Sequence, residues 1–262
     1  MTSWRGGVDD AVAGLARWPQ WLTLGNHELL QRYRRSVLGP LWITFSMGAT
    51  VIGLGVLYAE IFRLPLDRYL PHLTLGLITW SFIASCLLDG CHALVLNELN
   101  IKQIYTPLSV FVYRVLWRNL MALAHNALVY VVVVAIYGPW PGWSALAALL
   151  GLILLTCNLC WITSLLALVC SRFRDIPPIV ASLLSLAFLA TPILWRPGSQ
   201  GLLQEVASWN PFHHGIELVR GPLLGEPVAW TVMAGAAVVA VVGGMANLFL
   251  YGRYRRRVSY WL

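Results

Sequence analysis

The sequence predicts an all-α integral membrane protein with six transmembrane helices, an N-terminal amphipathic interface helix and a re-entrant outer hairpin of two half-length helices. Hydrophobic residues make up 58% of the 262 residues and charged residues only 11%, unlike the composition of soluble globular proteins. Apolar runs of about 18 residues or more recur, and each can cross a hydrocarbon core of about 30 Å as a helix. The runs show no alternation of polar and apolar residues, which favours helices over a β-barrel.

Residues 1–35 contain acidic and basic groups and no continuous apolar core, so they predict neither a cleavable signal peptide nor a span. Asp9 and Asp10 are candidate caps of a first short helix, and a second is expected over residues 21–35. Helices this short and polar lie in the membrane interface. We therefore expect an interfacial region, residues 1–35, followed by one transmembrane domain, residues 36–262.

Six segments are long and apolar enough to be spans. They are residues 37–62, 73–96, 108–137, 144–170, 176–195 and 228–251. An even number of spans places both termini on one side of the membrane. Of the 18 Lys and Arg residues, fourteen lie on that side and four opposite, which makes the termini cytoplasmic. The net charge of +7 therefore reflects topology and lipid headgroups and does not indicate a nucleic-acid partner.

The five cysteines all lie inside predicted spans and are interpreted as buried small hydrophobic residues. Cys157 and Cys160 form a CxxC motif, but no second pair or nearby His completes a metal site. The adjacent His213 and His214 also lack a third ligand. No metal site is predicted.

Two short polar breaks, NELNIKQIYTP at residues 97–107 and SRFRDIPP at residues 171–178, fall on the cytoplasmic side. Polar loops of this kind add nothing to stability, and they make sense if a cytoplasmic partner binds them. The candidate contact residues are Asn97, Asn100, Lys102, Gln103, Arg174 and Asp175.

Between the last two predicted spans, residues 196–227 contain two amphipathic stretches of about ten residues each. Asn210 is a candidate N-cap, and Pro211 is then the first helical residue of the second stretch. Each stretch has half the length needed to cross, which predicts a re-entrant hairpin packed against protein or lining a cavity. An amphipathic loop on the outer surface is the alternative. The candidate outer gate comprises Trp209, Asn210, Pro211, Phe212 and Arg220.

Several aromatic residues lie within the predicted spans, away from the interfacial belt. Aromatic faces inside a conduit would suit sugar rings, whereas packing between helices is the alternative for each residue. The candidate conduit aromatics are Trp42, Phe45, Tyr58, Trp80, Phe188 and Trp195. A basic cluster, Arg32, Arg34 and Arg35, either anchors the chain on anionic lipid or docks a phosphate-bearing substrate.

Asp89 is an acidic residue within the second predicted span and requires a partner, since an unpaired charge there costs a few kcal/mol. Asp89 lies eight residues before Asn97, and Arg114 lies seven after Pro107, which predicts matching depths and an ion pair. Arg118, one helical turn deeper, is the alternative partner.

The chain contains neither GxxxxGK[ST] nor a glycine-rich strand–helix turn for phosphate, and no catalytic constellation. We therefore expect a transport subunit rather than an enzyme, with no cofactor in this chain. Any ATP and Mg²⁺ that drive transport would lie on a partner chain.

Five collinear motifs resemble those of ABC-2 type permeases. They are RYRRSVLGPLW (32–42), LNELNIKQIYTPLSVFVYRVLWRN (96–119), RDIPPIV (174–180), TPILW (191–195) and NPFHHGIELVRGPLLG (210–225). The chain is most similar to the branch that exports O-antigen and related polysaccharides. By position, residues 97–107 resemble the coupling helix of that family, the first 35 residues its interface helix, and the outer half-helices its periplasmic gate. Thr106 stands where the family often has an aromatic residue.

The resemblance implies a homodimer in the bacterial inner membrane with two nucleotide-binding ATPase subunits below it. The dimer would export a lipid-linked polysaccharide. One alternative is a permease for another polymer, such as capsule, teichoic acid or galactan. Another is an integral membrane lipid-linked sugar transferase that uses Asp89 and the basic cluster. A structural scaffold subunit is a third, although it would not need the outer hairpin.

Overall fold

The computed structural model describes residues 3–32, 39, 41–138, 140–196 and 201–262, and over these ranges the regular structure is entirely helical. The helices are α1 (Ser3–Ala16), α2 (Trp18–Arg32), α3 (Leu41–Phe62), α4 (Leu66–His92), α5 (Glu98–Gln103), α6 (Ser109–Tyr137), α7 (Ala145–Arg172), α8 (Ile176–Ala190), α9 (Leu202–Trp209), α10 (Pro211–Leu223) and α11 (Trp230–Trp261). A short 3-10 turn, Val95–Asn97, links α4 to α5.

Five helices, α3, α4, α6, α7 and α11, are long and apolar enough to cross a membrane. The predicted fifth span, residues 176–195, is shorter than expected: α8 has 15 residues, about 22 Å. The helix ends because Thr191 precedes Pro192, and the proline ring drives Thr191 into an extended conformation (φ −92°, ψ 133°). Of the six predicted spans, five are therefore full-length helices and one is a short helix.

Two other helices extend beyond their predicted ends. α4 begins at Leu66, although Asp67, Arg68 and Pro71 lower the hydropathy of its first turns. α11 continues to Trp261, beyond the predicted end at residue 251, and carries four arginines in its last turns. Hydropathy marks the lipid-crossing part of a helix and does not mark the end of its hydrogen bonding.

α4 is the central helix of the bundle. In its most apolar stretch 72% of the residues are buried, against 11% in α3 and 6% in α11. α3, α6, α7, α8 and α10 all pack against it. Side chains such as Leu73 and Cys86 are fully enclosed in this core. α3, α8 and α11 form the outside of the bundle.

α1 and α2 lie against one end of the bundle, where α6 begins and α11 ends; we call this end the terminal face. Asp10 does not cap its own helix, because α1 begins at Ser3 and Asp10 lies in its middle. Its carboxylate instead accepts hydrogen bonds from the backbone N–H groups of Leu108 (3.2 Å) and Ser109 (3.0 Å). These groups begin α6 and have no partner within that helix, so a carboxylate there is favourable.

Glycines form the rest of the packing face of α1. Gly7 lies against the backbone of Leu248 in α11, and Gly14 lies against Ser109 in α6. Val12 and Leu15 are 59% and 55% exposed and point away from the bundle. The apolar stripe of α1 is therefore free to contact lipid, while its small residues contact protein.

Three cysteines, Cys86, Cys91 and Cys170, are buried as expected. Cys157 is exposed on the side of α7 and Cys160 is half-buried, so the prediction of burial is wrong for Cys157. Within the described residues no three His, Cys, Asp or Glu side chains form a group that could hold a metal ion.

The close approach at Gly7 yields a stability prediction. A Cβ at this position would lie 2.0 Å from the Leu248 carbonyl oxygen, so Gly7→Ala must displace α1. We expect a loss of about 1–3 kcal/mol, typical of overpacking, measured as lower thermal stability in detergent. Gly53→Ala in α3 is the control, because a Cβ there would meet no atom within 4 Å and alanine favours a helix by about 1 kcal/mol. Equal melting temperatures for the two variants would contradict the tight docking of α1.

Candidate functional site

The segment between α4 and α6 is anchored by a buried asparagine. Asn97 was expected to face a partner, but it is only 7% exposed. Its Nδ2 donates to the Ala93 carbonyl oxygen (2.8 Å), and its Oδ1 accepts from Arg114 Nη1 (3.2 Å). Asn97 therefore connects the start of α5 to α6 and is not available to a partner.

The outer side of this segment combines polar and apolar side chains. Asn100, Lys102 and Gln103 are exposed, as predicted for contact residues. The sequence analysis missed their apolar neighbours: Leu96, Leu99, Ile104 and Tyr105 are 80%, 72%, 60% and 87% exposed. The polar residues of this short segment lower its average hydropathy, so the average hides the apolar residues beside them. We call Leu96, Leu99, Ile104 and Tyr105 the apolar docking patch.

The second polar loop lies beside the first. Arg174 and Asp175 are exposed, and Phe173 next to them is 57% exposed. The Lys102 ammonium hydrogen-bonds the Glu98 carboxylate at 2.7 Å, and together with the nearby Arg174 it holds the pKa of Glu98 below its ordinary value. Both predicted partner-binding loops therefore present one continuous surface on the terminal face.

A charged network lies just inside this surface and joins three helices. Glu28 of α2 contacts Arg118 (2.6 Å) and Arg114 (3.1 Å) of α6. Arg118 also contacts Asp89 of α4 at 2.7 Å, and Asn119 donates a hydrogen bond to the same Asp89 oxygen at 3.0 Å. Two acidic residues thus neutralise two arginines.

The partner of Asp89 is Arg118, so the predicted pair with Arg114 is wrong and the alternative is correct. The prediction counted residues from the loop as if both helices ran to its edges. In the structure α4 ends at His92, and a turn and the 3-10 turn occupy the residues before α5. Arg114 is instead paired with Glu28, which α2 brings from a distant part of the sequence.

The basic cluster, Arg32, Arg34 and Arg35, cannot be placed from the structure. Arg34, Arg35 and the side chain of Arg32 lie outside the described residues.

At the opposite end of the bundle, α9 and α10 form the predicted pair of short helices. Asn210 is confirmed as the N-cap of α10: its Oδ1 accepts from the backbone N–H groups of Phe212 (2.9 Å) and His213 (3.4 Å). Its Nδ2 donates to Thr191 Oγ1 at 2.9 Å, which connects the cap to the end of α8. Pro211 is the first helical residue, as predicted.

Arg220, predicted as a gate residue, is an internal anchor. It is 1% exposed, and its guanidinium donates to Glu217 Oε1, to the Pro192 carbonyl oxygen (2.8 Å) and to His72 Nε2 (3.1 Å). Because arginine can only donate, His72 Nε2 is the acceptor in this contact. One side chain thereby joins α10 to α4 and to the turn after α8.

The candidate conduit aromatics separate into packed and exposed groups. Trp80 is buried, with its ring centroid 5.7 Å from that of Phe188 and 5.4 Å from that of Phe212. Trp195 is half-buried and donates to the Leu189 carbonyl oxygen (3.3 Å). Trp80, Phe188 and Trp195 therefore contact neighbouring parts of the bundle within the described residues.

The remaining candidates lie on α3. Tyr58 is half-buried, and its ring centroid is 5.7 Å from that of Phe62. Trp42 and Phe45 are 52% and 60% exposed on the outside of the bundle. In the gate, Trp209 is 87% exposed and Phe212 is half-buried.

Two of the cavities formed by the described residues enter the bundle from different sides. The larger, about 540 Å³, lies between α4, α7, α10 and α11 and is lined almost entirely by apolar residues. A smaller one, about 220 Å³, lies between α2, α3, α4 and α6 and has mixed polar and apolar walls.

Comparison with known proteins agrees with these features. The ABC-2 type transporter family matches residues 19–224 of the chain. A Myxococcus xanthus protein named O-antigen export system permease protein RfbA is 29% identical over 175 residues, which cover 66% of this chain and 67% of that protein. A Klebsiella pneumoniae protein of the same name is 29% identical over 197 residues, 72% of each chain.

The charged network predicts a specific rescue by charge exchange. Asp89→Asn should reduce stability by about 1–3 kcal/mol, less than for a fully buried pair, because the Asp89 side chain is 30% exposed. The double variant Asp89→Arg with Arg118→Asp should restore part of the stability that is lost in Asp89→Asn. The double variant Asp89→Arg with Arg114→Asp should not restore it. Thermal unfolding in detergent measures both. Rescue through Arg114 alone would contradict the assigned pairing.

A second prediction concerns the anchor of α10. Arg220→Met leaves Glu217 and the Pro192 carbonyl without their shared donor, and we expect a loss of about 3–5 kcal/mol. Arg68→Met is the control, since the Arg68 side chain is exposed and its substitution should change stability by no more than about 0.5 kcal/mol. Thermal unfolding and protease cleavage between α8 and α10 provide the measurements. Equal effects of the two variants would show that Arg220 is not an anchor.

Proposed function

Because this chain belongs to the ABC-2 type transporter family, we propose that it is the permease subunit of an ATP-driven exporter of a lipid-linked polysaccharide of the O-antigen class. Its family membership confirms the resemblance drawn from the motifs. The observation that carries the finer proposal is the terminal face, where an exposed docking surface is connected by buried polar contacts to two spanning helices. The names of the two relatives support O-antigen as the cargo.

The docking surface would receive the ATPase subunit. Leu99 and Tyr105 offer exposed apolar area, and Lys102 and Arg174 surround it with charge. Asn97 and Arg114 join the segment to α6, and Asp89 and Arg118 join α4 to α6. A push on α5 would therefore move α4 and α6 together. ATP and Mg²⁺ would be bound by that partner.

Six crossings, with both termini in the cytoplasm, are supported by a parity argument. α1 contacts the last turns of α11, where Arg255 Nη1 donates to the Gly6 carbonyl oxygen at 2.7 Å. The two ends of the chain therefore lie on the same face. Five full-length spans alone would place them on opposite faces, so we propose that α8 and the turn after it supply a sixth crossing. The excess of Lys and Arg makes this face cytoplasmic, in a bacterial inner membrane.

On this topology α9 and α10 form a re-entrant hairpin at the outer ends of the spans. α10 packs closely against α7, where a Cβ on Gly151 would lie 1.9 Å from the Leu218 carbonyl oxygen. The hairpin is covered by protein on that side, as half-length helices in a membrane require.

A second copy of the chain would complete the conduit. α3 and α8 present exposed apolar residues such as Ile52 (63%) and Leu186 (65%), and only one residue of α8 is buried. In a homodimer these helices would face the partner copy and the polymer, with lipid covering the remainder. Trp42 and Phe45 lie on this unpartnered side and are the aromatics best placed to meet a sugar chain.

An integral membrane sugar transferase is less well supported. Such an enzyme would need acidic residues free to bind a metal and a pyrophosphate. Asp89 and Glu28 are both paired with arginines, so neither offers an uncompensated negative charge to a metal ion. A permease for capsule, teichoic acid or galactan is the alternative within transport, and the names of the two relatives favour O-antigen over these polymers.

Tyr105 tests the proposed function. Tyr105→Ser should reduce co-purification with the ATPase at least tenfold and abolish surface display of the polymer, because it removes apolar area from the docking patch. Tyr260→Ser is the matched control, since Tyr105 is 87% and Tyr260 90% exposed on the same face. Co-purification from detergent and immunoblotting of surface polysaccharide provide the readouts. Normal export by Tyr105→Ser would contradict the assignment of this surface.

A further inference from the structure

The smaller cavity, of about 220 Å³, has several polar residues in its walls although it lies within the spanning bundle. Ser81, Ser85 and Asp89 line it from α4, spaced four residues apart and therefore on one face of that helix. Asn119 and Asn126 line it from α6. Ser81 is eleven residues from the end of α4 at His92, about 16 Å along the helix, so the polar lining reaches the middle of the span.

One wall of the cavity contains an unsatisfied amide. Asn126 is 5% exposed, and its Oδ1 is enclosed by protein without a hydrogen-bond partner among the described residues. Its Nδ2 also makes no hydrogen bond within those residues and is left for the cavity that Asn126 lines. A buried amide oxygen without a donor destabilises the fold, so packing does not explain an asparagine here. An apolar residue at this position would stabilise the bundle better.

The other polar atoms of the cavity include both acceptors and donors. Asp89 uses Oδ2 for both Arg118 and Asn119, which leaves Oδ1 for a further donor. Ser81 donates its hydroxyl proton to the Ile78 carbonyl oxygen (2.8 Å), so its Oγ can accept. A phosphate is poorly matched to the Asp89 carboxylate, because both are negatively charged. A cation is disfavoured by Arg118. The chemistry fits a neutral ligand with several hydroxyl groups, each of which can donate and accept.

The cavity is reached from the terminal face, past α3. Leu29 of α2 and Ile43 of α3 contribute to its rim, and the Asp89 side chain is 30% exposed. α3 is fastened here by Thr44 Oγ1, which donates to the His125 carbonyl oxygen at 2.8 Å, directly before Asn126. Since only 11% of the apolar stretch of α3 is buried, this helix can move outward more easily than its neighbours.

We infer that the cavity between α3, α4 and α6 is a sugar-binding site, in which Asn126 Nδ2 donates a hydrogen bond to, and Asp89 Oδ1 accepts one from, the hydroxyl groups of one residue of the polymer. This inference rests on the proposed export function. The site would bind the sugar on the cytoplasmic side, before the polymer enters the conduit. The phosphate of the lipid carrier would remain outside it, because the arginine that lines the cavity, Arg118, is already paired with Asp89 and Glu28.

Photo-cross-linking in membranes of the source bacterium tests the inference directly. The chain, with its ATPase partner, carries p-benzoylphenylalanine in place of Ile43 at the rim or, as control, in place of Ile153, which is 52% exposed on α7. The probe is the cells' own lipid-linked polymer, labelled by feeding [¹⁴C]glucose. We expect a labelled polysaccharide adduct at Ile43 at least tenfold above that at Ile153. A preparation of free labelled phospholipid from the same cells, assayed in parallel, identifies adducts to ordinary lipid.

Two asparagine variants separate binding from folding. Asn126→Leu should lower the Ile43 adduct at least fivefold and reduce export without lowering the melting temperature, because it removes an unsatisfied group. Asn158→Leu should lower the melting temperature but keep the adduct per folded molecule, because Asn158 Nδ2 bonds the carbonyl oxygens of Leu154 (2.9 Å) and Ala236 (3.0 Å) outside the cavity.

Three outcomes would overturn the inference. They are no adduct at Ile43 in cells that export normally, an adduct unchanged by Asn126→Leu, and a melting temperature lowered by Asn126→Leu, which would indicate a structural role. In each of them the proposed export function would still stand. If deletion of the chain left surface polysaccharide unchanged, the export function itself would fail.

Discussion

Arg114 and Arg118 lie on one face of α6, inside the bundle, and the structure of the terminal face depends on neutralising them. A guanidinium in this environment requires acidic or strongly polar partners, and no single neighbouring helix supplies enough of them. α4 contributes Asp89, the loop contributes Asn97, and α2 contributes Glu28. Because one acidic residue comes from the N-terminal region, that region must dock for the bundle to be electrostatically complete.

The same contacts hold α5 firmly against the helices that flank it. A short polar helix between two spans could move independently of them. Here Asn97 is bonded both to the end of α4 and to Arg114, and Asp10 holds the first N–H groups of α6 against α1. The exposed docking patch therefore rests on a base in which α1, α2, α4 and α6 are joined by buried polar contacts. On the proposed function, a force applied to the patch would move these helices and would not merely bend a loop.

The opposite end of the bundle follows the same rule with one arginine. Arg220 is enclosed more completely than either arginine of α6, and it draws α10, α4 and the turn after α8 into contact. That turn exists because Pro192 ends α8 early, which exposes the Pro192 carbonyl oxygen as an acceptor. The early end of α8 and the buried cation are thus two parts of one arrangement. It leaves α8 with only one buried residue.

Hydropathy and motif order were sufficient for much of this protein. They located the spans, the two polar loops, the N-cap at Asn210 and the family, because each depends on local composition or spacing. They could not pair the charges: choosing between Arg114 and Arg118 for Asp89 required the relative height of two helices and the presence of Glu28. Nor could they tell that Asn97 and Arg220 face inward while Tyr105 faces outward.

The sequence by itself determined that the chain is a helical membrane protein, since an apolar run must form a helix wherever lipid replaces water. It also determined on which side of the predicted topology the Lys and Arg residues are in excess, and which residues could cap a helix. Only the tertiary structure decided which polar side chains are satisfied by which partners. That choice depends on three-dimensional contacts between distant segments, and it leaves Asn126 with an acceptor that the described part of the protein does not fill.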